Sequence, residues 1–409
     1  MTQPATPVRP AEAAFSAPGP ALTIAQAISS RDNGFGFLRL LLALLVLVDH
    51  AFPLGGFGED RMWAWSKGQE AFGGIAVAGF FAISGYLIAK SSFNNDWLQF
   101  LWRRGLRILP AYWAVLTVTA LLVGPVLWKV QGLGLRTYFT RNEQGPLYHL
   151  WANWFLDIGR YGIYDLLKDT PYGQKVGGSV FNGSLWTLIL EWRCYLLVLL
   201  LAVSGAMRRA RPLVLALTLF LFALLCAQQF DRTLPGKLSP LFENVHMLRY
   251  ATVFMLGALG ALYGRELPLD DRLGLLSAGV YCYGLFVGGY FALGYPALAY
   301  LLLWLAARMP KVLRAVGAVN DYSYGTYLYG FLVQQLLARA GAHTLGYWPY
   351  LGLAAAVTLA CAVISWHVIE KPAMRLKDLG PGLGVQGLWA WWQQRSGRVL
   401  ASAPGGPRG

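Results

Sequence analysis

The sequence predicts an all-α polytopic membrane protein of about ten transmembrane helices. Three observations lead there. Apolar runs of about 18 to 20 residues recur along the whole chain, each long enough to cross a bilayer as a helix. The 409 residues are 56% hydrophobic and only 13% charged, where a soluble domain carries about 25% charged residues. The segments of about ten residues with alternating polarity that a transmembrane barrel requires are absent.

The ten expected spans are 35–54, 72–90, 106–128, 184–204, 212–230, 246–264, 272–291, 293–307, 321–341 and 348–370. A short Gly-rich break separates the seventh from the eighth. With the amino terminus inside, twenty Lys and Arg residues fall in inner segments and ten in outer ones. That is the cytoplasmic excess of basic residues expected of membrane proteins, and it places both termini in the cytoplasm. The same excess accounts for the net charge of +14, so no nucleic-acid partner is expected. Membrane lipid is the expected surrounding. The expected location is the cytoplasmic membrane, crossed many times.

Residues 1–32, rich in Ala, Pro and Ser, read as a disordered cytoplasmic tail. Residues 33–377 form the transmembrane domain, and 378–409 a cytoplasmic tail whose "GLWAWWQQR" is suited to an interface. Segment 129–183 is a long outer loop, rich in aromatic and turn residues, that folds over the membrane face. Cys194, Cys226, Cys282 and Cys361 fall singly in apolar runs, which implies buried free thiols and neither disulfides nor zinc. No metal-ligand spacing appears, and no metal is expected. No internal repeat is visible, and the sequence gives no oligomeric state.

The first span, "NGFGFLRLLLALLVLVDHAFPL", keeps three ionisable residues. Arg39 and His50 are eleven residues apart, which is three helical turns plus about 20°, so both project from nearly one face. Their separation along the axis is about 16 Å. Intramembrane ionisable groups are functional candidates by default. Asp49 points about 100° away from His50 and is expected to meet a partner on another helix, such as an Arg. In "FNGSLWTLILEWRCYLL", Glu191 lies inside an apolar helix, with Asn182 or Ser184 as its N-cap. A carboxylate there requires a partner or acts as acid or base. In "FLWRRGLRILPAYW", Arg103, Arg104 and Arg107 cluster on the inner side, and such clusters bind phosphates through paired hydrogen bonds. In "GGIAVAGFFAISGYLIAK", small residues permit close helix packing. Asp321 or Ser323 caps the helix of "NDYSYGTYLYGFLVQQ".

Taken in order, these segments together with "HMLRYATVFMLGAL" and "SWHVIEKPAMRL" resemble the membrane acyltransferase 3 family, bacterial O-acyltransferases of surface and exported glycans. The resemblance runs from Asn33 to Lys377. It implies transfer of an acyl group, with acetyl-CoA (a coenzyme A thioester) as donor, to a hydroxyl of a lipid-linked or exported glycan acceptor. It places the family's Arg and His on Arg39 and His50 and its intramembrane Glu on Glu191. His50 would be general base or transient acyl acceptor, Glu191 would orient His50 or the acceptor, and Arg39, Arg103, Arg104 and Arg107 would hold the donor. The resemblance puts no function on Gly330, where some relatives carry His. The alternative is a transporter or flippase of a lipid-linked saccharide, which would share the buried charges and the long outer loop.

Overall fold

The computed structural model describes residues 22–30, 32–93, 95–139 and 142–401, with backbone alone for 394–401. Among the described residues the regular structure is helical, with one isolated bridge between Thr23 and Pro268 and no strand. The long helices are α1 (Phe35–Gly55), α2 (Phe72–Ser92), α3 (Trp97–Val118), α4 (Thr187–Val203), α5 (Arg211–Gln228), α6 (Val245–Leu262), α7 (Asp271–Phe286), α8 (Tyr295–Arg308), α9 (Ser323–Arg339), α10 (Tyr347–Ser365) and α11 (Gly384–Ala401).

Each expected span falls on one of the first ten helices. Among the described residues seven stretches are both long and apolar enough to cross a membrane: α1, α2, α5, α6, α3 with its continuation to Val130, α8 with the preceding turn, and α10 with its continuation to Asp378. The chain is thus a multi-pass membrane protein. Helices α4, α7 and α9 are shorter, at 17, 16 and 17 residues. A 17-residue helix rises about 26 Å, a little under the hydrocarbon thickness. The third span begins earlier than expected, because Asp96 and Gln99 form a capping box at the start of α3. This brings the arginine cluster inside the helix.

Lipid tails are as apolar as leucine, so helices in a bilayer associate through packing and hydrogen bonds more than through hydrophobic burial. The centre of the bundle shows this. A Cβ on Gly85 of α2 would stand 1.9 Å from the Phe254 carbonyl oxygen, and one on Gly257 of α6 would stand 2.0 Å from that of Ala82. The two backbones touch where neither carries a side chain. Helix α1 packs against α2 and α9, and α9 in turn against α10. Gly330 is a contact of this kind, since a Cβ there would meet Leu47 at 2.7 Å.

The loop over 129–183 is compact. It holds short helices at Leu135–Tyr138, Pro146–Ala152 and Pro171–Val176, and it buries Tyr138, Leu156, Ile163 and Leu167 completely. Tyr112 of α3 donates to the Asn153 carbonyl at 2.7 Å, and Gln335 of α9 donates to that of Val180 at 2.8 Å.

The amino-terminal tail departs in part from expectation. Residues 1–21, 31 and 402–409 lie outside the described residues. Ile24–Ala27 is not disordered. It is a helical turn closed by a Thr23–Gln26 capping box, with Ile24 fully buried and the Ile24 and Ala25 amides bonded to the Leu267 and Gly264 carbonyls. Ile24 and Ile28, one turn apart, give it an apolar edge to bury. At the other end, α11 is tied to the start of α3 by the Val385 amide donating to Asp96 at 2.8 Å. The tryptophans of "GLWAWWQQR", Trp389, Trp391 and Trp392, are exposed on it.

Candidate active site

An ionic cluster gathers residues from α1, α3, α9 and the end of α10. Asp321 precedes α9, and its Oδ1 accepts from the Ser323 amide (3.1 Å) and hydroxyl (2.5 Å). Its Oδ2 accepts from Arg39 Nη1 at 2.8 Å and Arg107 Nη2 at 2.5 Å. Arg107 also reaches Glu370 at 3.5 Å, and its guanidinium lies over the rings of Tyr324 and Trp366. Glu370 is 2% exposed and accepts from the Ser365 hydroxyl. Two arginines and two carboxylates therefore neutralise one another, which is how charges persist in a low-dielectric interior.

Glu191 sits beside this cluster. Its Oε1 accepts from Ser84 of α2 at 2.9 Å and from Tyr195, one turn along α4, at 2.5 Å. Arg39 and Glu191 line one narrow cavity of about 40 Å³, together with Val77, Thr187, Tyr324 and Tyr327. A second cavity, of about 270 Å³, is lined by His50, Asp49, Glu70, Trp186, His246 and Tyr250. The two cavities share Val77, Thr187 and Tyr327. At this boundary the Tyr327 hydroxyl donates to the Ser184 carbonyl at 2.6 Å and lies 2.5 Å from the Thr187 hydroxyl. Tyrosine has one proton to give, so Thr187 is the donor in that second bond.

His50 presents its ring to the second cavity, packed edge-on against Phe331 at 5.3 Å. Phe331 also meets Tyr172 of the long loop at 5.6 Å. The Asp49 carboxylate is 3.9 Å from His50 Nε2, too long for a hydrogen bond. Asp49 does not meet an arginine as expected. It lies over Gly73, where a Cβ would be 2.5 Å from its Oδ2, and it hydrogen-bonds Asp60. Two carboxyl groups bond directly only if one keeps its proton. Burial pushes Asp60 up to about 6, against the Phe72 and Met62 amides, and Asp49 adds to the rise. Burial likewise raises Glu70 to about 7, against the Ala71 amide and Arg249. The absence of a side chain at Gly73 turns Asp49 toward these acids instead of toward a basic residue.

Other expected roles shift. Glu191 is bonded to Ser84 and Tyr195 and lines the Arg39 cavity, so it does not orient His50. Asn182 and Ser184 do not cap α4, which begins at Thr187 without a side-chain cap; Asn182 donates instead to Thr119 at 3.0 Å. Of the arginine cluster, Arg103 bonds Asn95 and Asp378, and Arg107 is held as described. Arg104 makes one long bond, 3.4 Å, to Ser91. It is the member least engaged by protein carboxylates. A larger basic hollow of about 560 Å³ is lined by Lys90, Arg208, Arg211 and Arg265. Tyr86 and Lys90 reach it from helical positions about 160° and 120° away from Ser84, so it opens on a different side of α2 from Glu191. Among the described residues no group of three or more His, Cys, Asp or Glu side chains is arranged to hold a metal ion.

Asp321, Glu370, Thr187 and Tyr327 were not singled out as site residues. Charge balance pointed to the first two: buried arginines need carboxylates, and the chain offers few within its apolar spans. Nothing local marks Thr187 and Tyr327, because their pairing joins residues 140 positions apart.

The architecture defines a class: a multi-pass helical membrane protein with a cation-lined cavity meeting a histidine-lined one inside the bundle. The chain belongs to the acyltransferase 3 family, whose acyltransferase domain model matches residues 32–367, and it is an acyltransferase. It is 29% identical over 348 residues to an O-acetyl transferase of Shigella phage Sf6, covering 83% of this chain and 96% of that protein. It is also 29% identical over 373 residues to Nodulation protein 10 of Rhizobium leguminosarum bv. viciae, covering 85% and 95%. No solved structure matches the chain. Membership in an acyltransferase family weighs against the transporter alternative.

Proposed function

We propose that the protein transfers an acetyl group from acetyl-CoA to a hydroxyl of a cell-surface or exported saccharide, across a path that joins the two cavities. The observation that carries this reading is the adjoining of the Arg39–Glu191 cavity and the His50 cavity within one bundle. The O-acetyl transferase relative supports acetyl as the group moved. In this reading all ten helices α1 to α10 span the cytoplasmic membrane, with both termini inside. The donor then arrives at the arginine end, where Arg104 holds an anionic group of it. Arg39 is fixed by Asp321 and lines the entrance to the thioester site.

The chemistry asked of the site is modest. The acceptor hydroxyl loses its proton as its oxygen attacks the thioester carbonyl, the C–S bond breaks, and the sulfur leaves as the thiol. An imidazole in its neutral form is suited to take that proton or to accept the acyl group first. His50 lines this cavity without a hydrogen bond to another described residue, as does the ring of His246; the family resemblance favours His50 as the one that meets the acceptor. Trp186, in edge contact with His246, lines the same cavity and supplies aromatic surface for a sugar. Glu191, held by Ser84 and Tyr195, balances the positive charge of Arg39 across the donor-side cavity.

The test is His50→Ala, inserted at the normal level in a strain lacking the native copy, with O-acetyl on the surface glycans measured by mass spectrometry. Loss of O-acetyl with intact polymer is expected. Retained acetylation would overturn the role of His50, and loss of the polymer itself would favour saccharide export as the function.

A further inference from the structure

We infer that Val77, Thr187 and Tyr327 form an aperture that sets the size of the acyl group transferred. The inference rests on the proposed reading that an acyl group passes between the two cavities. These three residues are the ones that line both, so a group moving from Glu191 toward His50 moves past them. The aperture is closed from two sides. Thr187 donates to the Tyr327 oxygen at 2.5 Å, and Tyr327 is in turn anchored on the Ser184 carbonyl at 2.6 Å. This fixes α9 against α4 at one height. The Phe80 ring, in edge contact with Tyr327 at 6.0 Å, restricts movement of the tyrosine toward the donor cavity. Val77, 8% exposed, supplies the facing apolar wall.

The donor-side cavity is about 40 Å³ and the acceptor-side one about 270 Å³. Size is therefore limited on the donor side and at the junction, while the saccharide side is roomy. A wall built from a β-branched residue and a hydrogen-bonded tyrosine discriminates by methylene groups, because the valine side chain is stiff and the clasp resists displacement. Removing wall atoms should relax this limit without touching Arg39, Glu191 or His50. A pocket of this kind discriminates one methylene by about 10- to 200-fold.

Membranes from the producing strain, lacking its native copy and complemented with each variant, supply the acceptor glycan. Radiolabelled acetyl-CoA and propionyl-CoA are the probes, and label in the glycan is the readout. Val77→Ala and Thr187→Ser should each raise the propionyl-to-acetyl ratio about tenfold or more, with acetyl transfer retained. Thr187→Val keeps the volume but removes the donor of the clasp to Tyr327, so it too should raise the ratio. An unchanged ratio in both widened variants, or loss of both transfers from variants inserted at the normal level, overturns the aperture. No labelling of glycan by the unaltered protein would instead sink the underlying reading, so the two failures are distinguishable.

Discussion

Replacing Asp321 with Asn should unlock the ionic cluster, and the size of the effect follows from its geometry. Asp321 Oδ2 is shared by Arg39 at 2.8 Å and Arg107 at 2.5 Å. The substitution keeps the volume but removes the only carboxylate with which Arg39 pairs among the described residues. Arg107 retains Glu370 at 3.5 Å. Breaking a buried pair from one side costs about 3 to 5 kcal/mol, because a charge is left uncompensated. The three side chains are 23%, 18% and 15% exposed, so solvent relieves part of this and the lower end applies, about 3 kcal/mol. At about 2.1 cal/mol/K per residue for a chain of this size, the midpoint falls by about 3 °C. Thermal unfolding of the detergent-solubilised protein, followed by tryptophan fluorescence, measures it. In the double variant Asp321→Asn with Arg39→Met the orphaned cation is gone, so the losses should fall short of additive by about 1 to 2 kcal/mol. A single-variant loss under about 0.5 kcal/mol, or strictly additive losses, would refute the account of a mutually neutralised cluster.

Two further outcomes follow. Glu70 is held near 7 by burial, against 4.5 as its ordinary value. The folded state therefore holds its proton through a range where the unfolded chain has released it, and stability falls as pH rises from about 4.5 to 7, by roughly 3 kcal/mol in all. Glu70→Gln should flatten that part of the pH profile of the melting midpoint; a profile that keeps its full slope would count against Glu70. Gly85→Val drives a Cβ into the Phe254 carbonyl and should reduce the folded yield sharply, since backbone cannot yield as a side chain does. Gly279→Ala, with nothing within 4 Å of the added Cβ, should be neutral or stabilising by about 0.5 to 1 kcal/mol. Equal size-exclusion profiles for the two variants would contradict the close α2–α6 approach.

The fold was legible because the bilayer imposes length and apolarity on each helix separately. Each of the ten expected spans overlaps one of α1 to α10, but the Gly-rich turn at Val287–Gly289, with Gly288 and Gly289 at positive φ, falls inside the expected seventh span and shortens it. The site was legible only along single helices. Arg39 and His50 both fall on α1 and line two adjoining cavities. What pairs with them was hidden, because pairing depends on which helices meet. Arg39 meets Asp321, 282 residues away, and Glu191 meets Ser84, 107 residues away. Asp49 shows the limit most plainly. Its angle correctly sent it to another helix, but Gly73 received it, and a glycine leaves no chemical trace of the partner it admits.

The arginines raise the same issue at the level of function. A basic cluster on the inner side of a membrane protein looks like a phosphate site, yet basic residues there serve topology as well. In the structure the three guanidinium groups differ in whether a carboxylate already engages them. Arg103 and Arg107 point to Asp378, Asp321 and Glu370, and an anion would have to displace those carboxylates to reach them. Displacement would also release Arg39, because it shares Asp321 Oδ2 with Arg107. An anion at Arg107 would thus disturb Arg39, which lines the cavity it shares with Glu191. Arg104, bonded only to Ser91 among the described residues, is free of that coupling. The carboxylates make Arg39 and Arg107 a fixed frame for the bundle, and of the three clustered arginines they leave Arg104 without a carboxylate partner among the described residues.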